Sequence, residues 1–220
     1  MNRQTLRTSI AGAAGAIELA LDRPPGPPRG LALVAHPHPL HGGTLDNKVA
    51  QTLARAWVQL GFVVLRPNFR GVGASAGQFD GGRGETDDLQ QVLEHHLQTL
   101  RAELGDAPQL ALAGFSFGAF VAAALAARLR DAGRAPRHLT LVGPAVVNFA
   151  LPALREPQPL AERMLVVHGE ADEVVPLAAV LDWARPQQQP VLVAPGSGHF
   201  FHGMLTPLKD WVCAWHGGAV

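Results

Sequence analysis

Gly114-Phe115-Ser116-Phe117-Gly118 stands between a short apolar run and an alanine-rich stretch with helical spacing. A strand that turns sharply into a helix holds the central residue of the turn in a strained conformation and exposes its side chain at the carboxyl edge of the sheet. Glycines two residues before and after the serine leave room where strand and helix crowd each other. The pentapeptide therefore predicts a strand-turn-helix unit that presents Ser116 at the amino terminus of a helix.

Short apolar runs alternate with helical patterns on both sides of this pentapeptide. Such alternation is typical of a mostly parallel α/β sheet with helices on both faces. The 220 residues, 47% of them apolar, suit a single α/β domain over residues 1–220. Two amino-terminal runs, 6–10 and 16–21, fit an antiparallel pair at one edge. The other predicted strands are 31–35, 62–65, 110–113, 139–142, 164–167 and 191–194, and the predicted helices are 49–60, 89–104, 117–133, 177–184 and 204–215.

Composition narrows the class of partner. Eighteen basic and eighteen acidic side chains give a formal net charge of zero, so nothing indicates nucleic acid or an anionic membrane surface. The single cysteine, Cys213, excludes an internal disulfide and fits a reducing compartment. No run reaches transmembrane length, and no convincing signal-peptide cleavage site follows the first apolar stretch. We therefore expect a cytoplasmic protein that acts on a small molecule, while its oligomeric state is not readable.

Three reactive residues each follow a predicted strand, at the sheet edge where ligands bind in this class of fold. A serine hydroxyl needs a base such as the His199 imidazole to take its proton, and the Asp172 carboxylate can hold that imidazole in the correct tautomer. The chain order Ser116, Asp172, His199 is the order expected for this fold. These residues predict a catalytic triad. The alternatives on the same loops are Glu170 or Glu173 as the acid and His202 as the base.

Further segments resemble the α/β-hydrolase superfamily from about Leu31 onward, and more narrowly a group of small, lidless bacterial serine hydrolases related to dienelactone hydrolases. Dienelactone hydrolases themselves use cysteine where Ser116 stands, which argues against that activity. The matching segments are His36-Pro37-His38-Pro39 with Gly42-Gly43, Asn47-Lys48, Asn68-Phe69-Arg70-Gly71, Gly114 to Ala119, and Gly198-His199-Phe200-Phe201.

The resemblance implies an oxyanion hole and a reaction without a cofactor. One donor would be the Phe117 N–H, and the second would come from the loop after the strand ending near Ala35. Proline has no N–H, so the second donor is His38, which aligns best with the superfamily, or else Leu40.

The stretch from Gly143 to Glu162 is rich in proline and, at about twenty residues, too short for a cap domain. An open, shallow site follows, suited to small or medium carboxylic esters or thioesters. The predicted function is thus that of a carboxylesterase-like serine hydrolase working through an acyl-enzyme. The predicted substrate contacts are Leu40, Phe115, Val146, Phe149 and Phe200.

Two alternative interpretations of the function compete with that of a serine hydrolase. His36, His38 and His41 resemble part of the histidine signature of metallo-β-lactamase-like hydrolases and could hold zinc. Against this, Leu40 stands where that signature has aspartate, and a zinc enzyme would not need the serine turn. A non-catalytic ligand-binding protein on the same fold is the second alternative, although such proteins usually lose a triad residue.

The glycine-rich segment Gly71 to Gly77 superficially suggests a nucleotide-binding loop. Its spacing, G-x-G-x-x-x-G, differs from the dinucleotide-binding pattern, and the acidic residues that follow would repel phosphate. We expect a structural loop in which Arg70 pairs with one of those acids. Whether Arg70 or Asp80 also contacts substrate is not readable from the sequence.

Overall fold

In the computed structural model, which describes residues 5–218, eight strands form one sheet in the order β1-β2-β4-β3-β5-β6-β7-β8. β3 to β8 are mutually parallel, whereas β2 runs antiparallel to β4. The strands are β1 Leu6–Gly12, β2 Gly15–Asp22, β3 Gly30–Ala35, β4 Phe62–Pro67, β5 Gln109–Phe115, β6 His138–Val142, β7 Arg163–Gly169 and β8 Val191–Ala194, and the helices are α1 Lys48–Gln59, α2 Arg83–Thr99, α3 Arg101–Leu104, α4 Phe117–Asp131, α5 Leu177–Ala184 and α6 Leu205–Gly217.

The amino-terminal hairpin confirms the predicted antiparallel pair. Its register joins Leu6 to Leu21 and Gly12 to Gly15, so only two residues form the turn. Ile10 and Ile17, a directly opposed pair, are buried in the apolar core. The hairpin therefore extends the sheet by two strands beyond β4.

Helices cover both faces of the sheet, which explains the continuous apolar strands. All residues of β3, β4 and β6 are buried. On one face, α2 and α4 enclose a core that includes Leu33, Leu112 and Leu125. On the other face, α1 contributes Trp57 and α6 contributes Leu208 to a second core. In sheets of this class, ligands bind at the carboxyl edge, outside the ends of the strands.

Two connections differ from, or refine, the sequence expectation. α2 begins six residues before Leu89 because Glu85 caps it, accepting the Gly82 N–H at 2.8 Å, and it ends at Thr99 rather than continuing to Leu104. Residues 143–162 contain neither helix nor strand. The fold is therefore the predicted α/β sheet without a cap domain. Within residues 5–218, no helix is long and apolar enough to cross a membrane.

Candidate active site

Ser116 occupies the single residue between β5 and α4. Its φ of 57° and ψ of −119° lie outside the regions that side-chain-bearing residues favour. Strand and helix meet so closely here that a Cβ added to Gly114 would lie 2.1 Å from the Gly118 carbonyl oxygen. A Cβ on Gly118 would lie 2.4 Å from the carbonyl oxygen of Ala35. Both glycines are thus required, and the strand-turn-helix unit forms as predicted.

Three side chains from separate loops form a hydrogen-bonded row at this edge. His199 Nε2 lies 3.1 Å from Ser116 Oγ, and His199 Nδ1 lies 2.7 Å from Asp172 Oδ2. Since an ionised carboxylate only accepts hydrogen bonds, Nδ1 carries the proton and Nε2 is free to accept the serine hydroxyl. All three residues are buried, and Ser116 keeps 8% of its surface exposed. The structure brings together the three residues that the sequence singled out.

Asp172 is held as a charged acceptor. Its Oδ1 accepts the Val174 and Val175 N–H groups at 2.9 and 2.8 Å, which leaves Oδ2 for His199. Burial acts to raise its pKa, but the hydrogen bonds from His199 and the Val175 N–H outweigh burial and lower that pKa. The Asp172 carboxylate is therefore negatively charged, and in this state it orients the His199 imidazole.

The alternative acids and base lie outside this row. Glu170 is exposed and accepts the Gly196 N–H at 2.8 Å, which stabilises the loop that carries the histidine. Glu173 and His202 are also exposed.

Two main-chain N–H groups, one next to Ser116 in the chain and one on the loop after β3, donate no hydrogen bond within the described residues. Among residues 5–218, neither the Phe117 N–H nor the His38 N–H has an acceptor. Phe117 begins α4, where the first amide groups have no partner within the helix. The Leu40 N–H, by contrast, donates to His38 Nδ1 at 3.2 Å. Of the two candidates for a second oxyanion donor, His38 has the available group.

His36 has a structural part that the sequence did not reveal. Its fully buried ring lies with Nδ1 2.7 Å from the Pro37 carbonyl oxygen and Nε2 3.0 Å from the Phe69 nitrogen, whose N–H it accepts. Burial lowers its pKa to about 4, so the ring is neutral at pH 7. His36 thus joins the loop carrying His38 to the segment after β4. The motif His36-Pro37-His38-Pro39 marked this loop in the sequence, but it did not indicate the two hydrogen bonds of the His36 ring.

These bonds also remove the basis for the zinc alternative. Both ring nitrogens of His36 are engaged within the protein, and His38 Nδ1 accepts the Leu40 N–H. No group of three or more His, Cys, Asp or Glu side chains among residues 5–218 is arranged to hold a metal ion.

Arg70 and Asp80, in and after the glycine-rich loop that follows β4, both form contacts within the protein. Arg70 donates to both oxygens of Asp88, at 2.9 and 2.8 Å, as expected for a pairing with an acid that follows. Asp80 accepts the Gly84 N–H at 3.1 Å and pairs with Arg83. Arg70 and Asp80 therefore both contact residues in the first turns of α2.

The predicted substrate contacts divide into accessible and inaccessible side chains. Leu40 and Phe200 are 68% and 48% exposed, and Val146 and Phe149 are half-buried. Phe149 stacks on Phe120 with ring centroids 4.9 Å apart. Phe115 corrects the expectation because it is fully buried, with its ring centroid 4.9 Å from that of His199. Its ring packs against the ring of His199 and has no surface that a substrate could contact.

Comparison with known sequences gives a family match and a distant relative. The sequence model of the Thioesterase domain family matches residues 65–187, a segment that contains Ser116 and Asp172. An uncharacterized protein of Rickettsia prowazekii is 32% identical over 197 residues, which cover 86% of this chain and 79% of the relative.

Comparison with solved structures gives close likenesses over nearly the whole chain. A lidless α/β serine hydrolase of Xanthomonas campestris superimposes with a TM-score of 0.83 at 36% identity, covering 96% of this chain and 93% of that one. An α/β serine hydrolase homologue of Coxiella burnetii superimposes with a TM-score of 0.81, also at 36% identity, covering 97% of each chain.

Proposed function

Because the chain belongs to the Thioesterase domain family of α/β serine hydrolases, we propose that it cleaves small to medium carboxylic esters or thioesters through an acyl-enzyme on Ser116. The single observation that carries the proposal is the hydrogen-bonded row from Ser116 through His199 to Asp172, with distances of 3.1 and 2.7 Å.

The proposed reaction begins with the tautomer described above. His199 Nε2 accepts the Ser116 proton while Oγ attacks the carbonyl carbon of the substrate. The resulting imidazolium is stabilised by Asp172. It gives the proton to the oxygen or sulfur of the leaving group as the bond from that atom to the carbonyl carbon breaks, so an alcohol or thiol departs and the acyl-enzyme remains. Water then gives a proton to the same nitrogen while its oxygen attacks the acyl carbon. As the bond from that carbon to Ser116 Oγ breaks, the imidazolium returns the proton to Oγ, which releases the carboxylic acid and restores the serine hydroxyl. Atoms and charge balance without a cofactor.

Negative charge on the carbonyl oxygen is the costliest feature of this reaction. We assign its stabilisation to the N–H groups of Phe117 and His38, which have no acceptor among residues 5–218. A donor held ready in this way lowers the barrier by about 2.7–4 kcal/mol. The hydrogen bonds of His36 support the assignment, since they fix the loop that carries the second donor.

The substrate class follows from the surface around Ser116. The loop after β3 that carries His38 and Leu40 is called the oxyanion loop below. Leu40 on this loop, Val147 after β6 and Phe200 after His199 are 68%, 50% and 48% exposed, so three loops present apolar side chains at this edge. No cap covers them, because residues 143–162 form an irregular segment. An open apolar rim fits uncharged esters or thioesters of modest length that are dissolved in water. As part of the same proposal, we place the protein in the cytoplasm, with no nucleic acid or membrane partner.

The test is a pair of variants with a matched control. Ser116→Ala and His199→Ala are each expected to abolish turnover of nitrophenyl esters while the circular dichroism spectrum stays that of the wild type. Ser9→Ala, an exposed serine on β1, is the control and should retain full activity. A fluorophosphonate probe should label the wild type and Ser9→Ala but not Ser116→Ala. Near-normal turnover by Ser116→Ala would refute the proposal.

An acyl-length series measured on nitrophenyl esters and on N-acetylcysteamine thioesters then separates a preference for esters from a preference for thioesters. Rates are expected to be highest for short and medium chains. A sharp increase on emulsified triglyceride would contradict the open-site interpretation. A chelator should leave all these rates unchanged.

A further inference from the structure

His168 lies directly behind the acid of the row, near the end of β7, and has no part in the reaction described above. Its side chain is fully buried. Nε2 lies 2.8 Å from the Val175 carbonyl oxygen and 3.4 Å from Asp172 Oδ2, the oxygen that His199 also contacts. Both neighbours are acceptors, so the proton must reside on Nε2.

Val175 links this histidine to the carboxylate through its own backbone. The Val175 N–H donates to Asp172 Oδ1 at 2.8 Å, and the Val175 carbonyl accepts from His168 at 2.8 Å. The main chain of Val175 therefore contacts both one carboxylate oxygen of Asp172 and the ring of His168. With Oδ1 occupied in this way, Oδ2 is directed at His199.

The other ring nitrogen shows that packing alone does not account for this residue. His168 Nδ1 is buried and has no hydrogen-bond partner within residues 5–218. A buried polar atom without a partner costs free energy that an apolar side chain of similar size avoids. The titratable groups facing the ring are Asp172 and His199, and burial, the larger effect, lowers the pKa of His168. A neutral donor is thus retained at a site where it is costly.

We propose that His168 is a positioning residue for the acid of the triad, holding Asp172 through the Val175 peptide so that Oδ2 meets His199 Nδ1. The inference rests on the proposed function, because it assigns His168 a role in the same hydrogen-bonded row. The relevant group is the Nε2–H, not the bulk of the ring.

Three variants separate the donor from the ring. His168→Gln can place an amide N–H where Nε2 stands and is expected to keep kcat within about threefold of the wild type. His168→Phe keeps a ring without a donor, and His168→Asn has an amide too short to reach Val175. Each of these two is expected to lower kcat about tenfold with KM unchanged, a size typical of coupled neighbours. Equal losses in all three variants would overturn the proposal.

A double-mutant cycle tests whether His168 acts through the acid. In an Asp172→Asn background, His168→Phe should reduce kcat by less than twofold further, because the carboxylate that it positions is already gone. A tenfold loss in both backgrounds would show an independent structural role and would also overturn the proposal. Thermal unfolding of each variant identifies one that merely fails to fold, and His168→Asn then replaces His168→Phe in the cycle.

A spectroscopic measurement keeps this inference distinct from the proposed function. The His199 Nδ1 proton, hydrogen-bonded to Asp172, should give a downfield proton resonance in NMR that is preserved in His168→Gln and shifted or lost in His168→Phe. Should the wild type hydrolyse no ester, the proposed function fails and the resonance still decides the role of His168. An unchanged resonance in His168→Phe contradicts the positioning role even if the enzyme is active.

Discussion

At the scale of single residues, one substitution removes the second proposed oxyanion donor: His38→Pro deletes the main-chain N–H, together with the imidazole. His38 has a φ of −53°, a value that proline also adopts, so His38→Pro removes the N–H without imposing a new backbone conformation. If this N–H stabilises the oxyanion, kcat should fall about 10²–10³-fold, as for the loss of one such donor in other hydrolases. Steady-state kinetics on a nitrophenyl ester measures the loss.

His38→Ala is the matched control for that variant. It also deletes the imidazole, which packs 5.0 Å from the Phe117 ring and accepts the Leu40 N–H, but it keeps the backbone donor. We expect its kcat to stay within about tenfold of the wild type. Similar losses in the two variants would assign the effect to the ring. An active His38→Pro would instead direct attention to the Leu40 N–H.

At the scale of elements, the contact between α4 and the end of β3 links the nucleophile to the oxyanion loop. A Cβ on Gly118 would lie 2.4 Å from the carbonyl oxygens of both Ala35 and His36, and backbone atoms cannot rotate out of the way as a flexible side chain can. We expect Gly118→Ala to lower the free energy of unfolding by about 1–3 kcal/mol, the usual cost of overpacking. It should also lower esterase activity, because the strand end that leads to His38 must shift. Urea denaturation and ester turnover measure the two effects.

Gly26→Ala provides the comparison, since nothing lies within 4 Å of a Cβ built there. Its free energy of unfolding should stay the same or rise by about 0.4–1 kcal/mol through the stiffer unfolded chain. A Gly118→Ala protein as stable and active as Gly26→Ala would show that the crowding at the turn is not needed.

The elements themselves were largely predictable because one physical rule governs them. Strands covered on both faces must be apolar throughout, so β3 and β4 stand out as continuous apolar runs, and glycine marks the close turn at Ser116. Because Ser116, Asp172 and His199 each follow a predicted strand of a parallel sheet, the sequence predicted that they would lie at one edge. The start of α2 was missed because its first turn contains no apolar residue before Leu89 and depends on the Glu85 cap.

Side-chain surroundings were not predictable in the same way. Phe115 and Phe200 both adjoin the triad in sequence, yet the first is buried beneath His199 and the second is half exposed, since one ends a strand and the other lies on a loop. His36 and His168 likewise lack any local signal of their roles. A buried histidine is distinguished from an exposed one by partners far along the chain, such as Phe69, 33 residues after His36.

At the scale of the whole molecule, buried histidines should make stability depend on pH. His138 and His216 are buried with their Nδ1 atoms 3.1 Å apart, and His216 Nε2 lies 2.8 Å from the Thr140 hydroxyl. Burial, followed by nearby arginines, lowers the pKa of His138 to about 4, and burial followed by His138 lowers that of His216 to about 3. His36 is similarly lowered to about 4 by burial.

A histidine whose pKa is lower in the folded than in the unfolded chain is neutral in the folded chain and protonated in the unfolded chain at any pH between the two values. Between about pH 6.5 and pH 4 the unfolded chain therefore binds more protons, and the free energy of unfolding should fall on acidification by up to about 1.4 kcal/mol per pH unit for each such group. Above about pH 7 these histidines should not make the free energy of unfolding depend on pH.

Urea denaturation followed by circular dichroism from pH 8 to pH 4.5 measures the dependence. His216→Gln should reduce the slope, because it removes one of the buried histidines. A flat profile between pH 6.5 and pH 5 in the wild type would contradict the burial of these rings as neutral groups.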